Sequence, residues 1–73
     1  MNPTRMPRSE PARFVLKDRV VILDVITTSA VGKEGVIVGM KVHPKARTLD
    51  KYLVELNSGE VKEMWDIQLL RTA

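Results

Sequence analysis

The sequence predicts an all-β domain, five short strands curled into a small barrel with one helical turn before the last strand. Three observations carry that expectation. Val and Ile are concentrated in short runs, as in Val20-Val21-Ile22-Leu23. The run Lys33-Glu34-Gly35-Val36-Ile37-Val38-Gly39-Met40 sets a glycine on either side of its β-formers. Glycine inside a strand marks a bend, a bulge or the close approach of another backbone. Two alternating segments, Tyr52-Leu53-Val54-Glu55-Leu56 and Glu60-Val61-Lys62-Glu63-Met64-Trp65, flank Asn57-Ser58-Gly59, the signature of a hairpin.

A chain of 73 residues is enough for one domain. A domain this small buries only about 60% of its unfolded surface, so it commonly needs a disulfide, a metal or association to be stable. Cysteine is absent and His43 is the single histidine. No disulfide and no His or Cys zinc cluster can form, which leaves association as the available device. No cofactor is expected. The lack of cysteine fits a cytoplasmic location. No apolar run reaches the roughly 20 residues that cross a bilayer, and residues 1–13 lack the apolar core of a secretory signal.

In chain order, residues 1–13 carry Pro3, Pro7 and Pro11 and few large apolar groups, and read as a disordered or extended tail. Arg5, Arg8 and Arg13 stand against Glu10, so this segment holds +2 of the net +3. The barrel domain is expected over 14–73. Phe14-Val15-Leu16 opens it, and Lys17-Asp18-Arg19 makes a polar turn. In the first strand Val20 and Ile22 share one face and Val21 and Leu23 the other. Both faces are apolar, as expected when one meets the core and the other a second chain or the N-terminal segment.

Residues 26–32 read as a loop. Ser29 within it has no Gly-x-Ser-x-Gly surround, and only His43 could serve it as a base, so no catalytic residue is assigned. On the strand Gly35 to Val42, Val36, Val38 and Met40 are expected on one face, Ile37 and Gly39 on the other. A phosphate-cradling role for the glycines needs a following helix, and no helical period follows. Residues 41–51 form a long excursion broken by Pro44. Lys41, Lys45, Arg47 and Lys51 stand there against Asp50. It reads as a solvated hairpin loop or as a phosphate-contacting one, in which these four residues bind nucleic acid. His43 reads as an ordinary loop residue. In the hairpin, Val61, Glu63 and Trp65 share one face and Lys62 and Met64 the other, and the pattern does not say which faces the core. Asp66-Ile67-Gln68 reads as a helical turn capped by Asp66, and Leu69-Leu70-Arg71 as a last strand against the first.

This element order is that of SH3-like barrels. Lys17-Asp18-Arg19-Val20, Gly35-Val36-Ile37-Val38-Gly39, Gly59-Glu60-Val61 and Leu69 together resemble the plasmid- and integron-borne type II dihydrofolate reductases of bacteria, over roughly residues 17–71. The resemblance implies a small barrel with a disordered tail, of which four copies surround a pore. That pore is lined in the family by a Val-Gln-Ile-Tyr run that holds folate and nicotinamide. The matching positions here are Val61, Lys62, Glu63 and Met64, which keep only the valine and cannot supply the family's hydrogen bonds or flat ring. The tryptophan of the family's subunit contact is Met40 here. Folate reduction is therefore not expected. Two readings remain. One is a non-catalytic binding or assembly module, with a homo-oligomer or protein partner and contact residues Met40, Met64 and Trp65. The other is a nucleic-acid-binding barrel of the KOW type. Phe14, Tyr52 and Trp65 are its only aromatics for stacking bases.

Overall fold

The computed structural model describes residues 11–23 and 30–72. The expectations for residues 1–10 of the tail and for Ser29 fall on residues outside these. Five antiparallel strands form one sheet: β1 (Arg19–Ile22), β2 (Glu34–Lys41), β3 (Lys51–Leu56), β4 (Val61–Trp65) and β5 (Leu69–Arg71). Their order across the sheet is β4-β3-β2-β1-β5. A short 3-10 turn, Asp66–Gln68, precedes β5, and a second, Arg47–Leu49, breaks the long excursion after β2. This is a small SH3-like all-β fold with a helical turn before its last strand, as the sequence predicts.

β2 is the strand on which the sheet curls. It pairs with β1 through Arg19↔Val36 and with β3 through Ile37↔Val54. The register then shifts, and Gly39, not Val38, meets Leu53. Val38 is the extra residue of a β-bulge, which bends its strand and restarts the alternation. Gly35 and Ile37 face inward before the bulge, and Met40, opposite the buried Tyr52, faces the core after it. The expected grouping of Met40 with Val36 and Val38 is corrected by this one inserted residue. Gly35 itself cannot be replaced cheaply. A Cβ there would lie 2.6 Å from the Glu55 carbonyl oxygen and 2.6 Å from Val54 Cγ1.

The β3–β4 hairpin closes on Gly59, whose φ of 91° suits the residue without a Cβ. Leu56 N–H donates to the Glu60 carbonyl at 2.8 Å, and Gly59 N–H to the Leu56 carbonyl at 2.8 Å. Pairing of Tyr52 with Met64 and Val54 with Lys62 settles the open face. Met64 and Lys62 are turned inward; Val61, Glu63 and Trp65 lie outside. Lys62 ends beside Glu60 at 3.4 Å. A lysine on the inner face of an edge strand discourages another chain from adding there.

One core joins the elements: Phe14, Val20, Ile22, Ala30, Ile37, Tyr52, Val54, Leu56, Met64 and Leu69 are buried together. The Phe14 ring meets the Tyr52 ring edge-on at 5.2 Å, a contact worth about 1 kcal/mol beyond area burial. Burial pushes the Tyr52 hydroxyl above its ordinary pKa.

Polar groups tie the first residues to the last. Arg13 Nη1 donates to the Asp66 carbonyl at 3.3 Å and to its Oδ2 at 3.4 Å, and Nη2 donates to the Leu69 carbonyl at 3.2 Å. The guanidinium also lies 4.7 Å from the Phe14 ring centroid. Arg71 Nη2 donates to the Arg13 carbonyl at 2.7 Å and to Asp18 Oδ2 at 2.9 Å. Arg13, placed in the tail by its proline-rich setting, thus belongs to the domain. Asp66 is not the cap expected of it. The cap position is Trp65, whose N–H donates to Gln68 Oε1 at 2.9 Å, while Asp66 is buried with its carboxylate toward Arg13. Its other oxygen, Oδ1, is buried without a hydrogen-bond partner among the described residues.

Two outcomes follow from this packing. Gly35→Ala should lower unfolding stability by about 3 kcal/mol, since the collision is with a backbone carbonyl that the sheet holds in place. Urea denaturation measures it, and a loss under about 0.5 kcal/mol contradicts the close approach. Arg13→Met should cost about 2 kcal/mol by leaving the Asp66 carboxylate buried without its cation. The double variant Arg13→Met/Asp66→Asn should recover part of that loss, and equal destabilisation of single and double variants would show the two side chains to be uncoupled.

Candidate interaction surface

The outer face of β2, β3 and β4 is where the hairpin's second set of side chains emerges. Register places Val36, Glu55 and Val61 in one row across the strands. Gly39, Leu53 and Glu63 form the next row, and Lys41, Lys51 and Trp65 the third. The Leu53 side chain lies over Gly39, where a Cβ would come within 2.9 Å of its Cδ1. Val38 and Val61 stay 45% and 50% exposed, high for valines inside strands. The face thus mixes apolar and charged groups: Glu55 in the first row, Leu53 beside Glu63 in the second, and two ammonium groups with Trp65 in the third.

The proposed contact residues divide between the two sides of the sheet. Met64 is 4% exposed and is part of the core, and Met40 packs against that core. Met64 offers no free surface and Met40 only part of one, because the hairpin register and the bulge both turn methionine inward. Trp65 lies on the outer face, half-buried, with Lys51 Nζ 4.6 Å from its ring centroid.

Of the four proposed phosphate contacts, Lys41 and Lys51 pair across β2 and β3 and meet one carboxylate. Lys41 Nζ sits 2.9 Å from Glu63 Oε2 and Lys51 Nζ 3.8 Å from Glu63 Oε1. The hydrogen bond from Lys41 is the main reason that Glu63 is held below the usual pKa of a glutamate. Arg47 is partly buried in the first 3-10 turn, and Lys45 is exposed in the loop before it. A carboxylate on the neighbouring strand therefore engages two of the four cations, a pairing that the local charge run did not reveal.

His43 organises its loop. Its Nδ1 accepts from the Lys45 and Ala46 N–H groups at 3.1 and 3.0 Å, and its own N–H donates to Asp50 Oδ1 at 2.7 Å. An open cleft of about 410 Å³ lies between the turn at Gly32 and the hairpin tip, lined by Lys33, Glu34, Leu56, Asn57 and Ser58. Among the described residues no three His, Cys, Asp or Glu side chains are grouped as a metal site would need. No helix there is long and apolar enough to cross a membrane.

Fold and surface together define the class, a five-stranded SH3-like barrel with a mixed apolar and charged outer sheet face. Comparison with protein-family models, curated proteins and solved structures found no match to this chain. The residues that sequence reasoning missed are Leu53, Val61 and Glu55. Their alternation was plain, but which half of it faced out depended on pairing across the sheet.

Glu63 should titrate below the ordinary glutamate range in carbon-detected NMR. Lys41→Met should raise that value, because it removes the larger of the two cationic contacts. An unchanged Glu63 titration in the variant contradicts the pairing.

Proposed function

We propose that this domain is a non-catalytic assembly module that associates with copies of itself through the outer face of β2, β3 and β4. The observation that carries the reading is the exposure of Val38 on β2 and Val61 on β4, the two strands that flank Leu53 of β3. Apolar side chains exposed together on one sheet face are better placed for a partner than for water. Size supports it. A chain of 73 residues has a small core, and covering one more sheet face adds buried apolar area at roughly 25 cal/mol per Å². Cysteine is absent, so no disulfide supplies the missing stability. Trp65 is kept from the earlier set of contact residues; Leu53 and Val61 take the place of Met40 and Met64.

The nucleic-acid reading gains no comparable support, since Lys41 and Lys51 share Glu63. A pore-type reductase gains none either. Of the run compared with the family's pore, Lys62 and Met64 point into the barrel and only Val61 and Glu63 point out.

Light scattering coupled to size exclusion tests the proposal. The wild-type chain should elute with at least twice its 8.2 kDa mass at micromolar to millimolar concentration. Leu53→Asp should return it to monomer while keeping its far-UV circular dichroism. A wild type that stays monomeric at millimolar concentration, or a Leu53→Asp variant that remains associated, overturns the reading.

A further inference from the structure

The rows of the outer face fix more than its location. We propose that two copies pack this face against itself about a two-fold axis that runs across the strands through Leu53, so that Glu55 of each copy meets Lys51 of the other. This rests on the self-association reading above and specifies its geometry.

In a two-fold dimer the same patch appears on both sides, so whatever residue i touches must touch residue i in return. Two sheets packed face to face with near-aligned strands allow two such axes. An axis along the strands lays each row on its own copy. Glu55 would then face Glu55 and Lys51 would face Lys51, two like-charge meetings that disfavour the complex. An axis across the strands exchanges the first row with the third. Glu55 then faces Lys51, Val61 faces Trp65, and Leu53, which covers Gly39 of its own chain, meets its own copy.

The charges already present suit this second arrangement. Glu55 is exposed and has no ion-pair partner among the described residues. Lys51 is only partly committed: Glu63 lies at 3.8 Å, and its ammonium group is spread over the Trp65 ring. Glu63, which would come near the axis and its own copy, is compensated within its own chain by Lys41 at 2.9 Å. Lys62, one residue away, points into the barrel and so stays out of the interface.

Mixing of charge variants tests the geometry. Glu55→Lys and Lys51→Glu should each weaken self-association by at least about tenfold, the effect of about 1.4 kcal/mol. An equimolar mixture should regain the dimer mass, because both contacts in the mixed dimer then join opposite charges. Circular dichroism confirms that each variant is folded. Cysteine cross-linking covers the case in which Lys51→Glu is not, since the parent chain has no cysteine. Glu55→Cys mixed with Lys51→Cys should form a disulfide dimer, and Glu55→Cys alone should not. Glu55→Cys linking to itself overturns the proposed axis while leaving self-association intact. Charge variants that stay dimeric on their own do the same. A monomeric wild type overturns both the axis and the reading beneath it.

Discussion

β2 belongs to two ladders at once, and the rest of the molecule depends on that. Its first half is held between β1 and β3, and its far end by β3 alone. A flat strand could not serve both partners and still put apolar groups inward along its whole length. The extra residue at Val38 resolves the conflict by resetting the alternation midway. Ile37 and Met40 can then both approach the core although three positions separate them. Gly35 removes the side chain at the point where β3 comes closest. With β2 bent and crowded in this way, β4 and β5 form the two edges of a curled sheet, and the space between fills with one small set of side chains.

The interior left by this curl is too small for apolar packing alone, and polar groups finish it. Asp66 and Asp50 are both buried, and the Asp66 N–H donates to the Asp50 carbonyl at 2.9 Å. Arg13 neutralises the first and stacks near Phe14, while Asp50 Oδ1 receives the His43 N–H. Buried charges are costly unless paired and hydrogen-bonded, so these contacts hold the ends of the chain in one arrangement more than they add to stability. The loop of His43 and the turn before β5 are thereby joined through the backbone contact between Asp50 and Asp66. The single histidine serves this architecture through its ring nitrogen and its backbone.

On the outside, the same register that fills the core sorts the remaining residues into rows. Glu55 stands in the first of them, Leu53 and Glu63 in the second, and Lys41, Lys51 and Trp65 in the third. The basic excursion takes its character from this face too. Lys41 and Lys51 are at its margin and turn toward Glu63, which offsets part of their charge within the sheet. A count of lysines along the loop gives no hint of that.

By itself the sequence determined the all-β class, the strand order in the chain, the turn at Gly59 and the helical turn before the last strand. These depend on residues close together along the chain: β-branched runs, a glycine that can adopt positive φ, a polar break. Alternation also separated Val61, Glu63 and Trp65 from Lys62 and Met64. Only the tertiary structure decided which set faced the core, because a strand's two faces are equivalent until a neighbour's register distinguishes them. It likewise decided that Met40 turns inward, since a bulge depends on the partner strand, and that Arg13 and Asp66, 53 residues apart, form one polar contact.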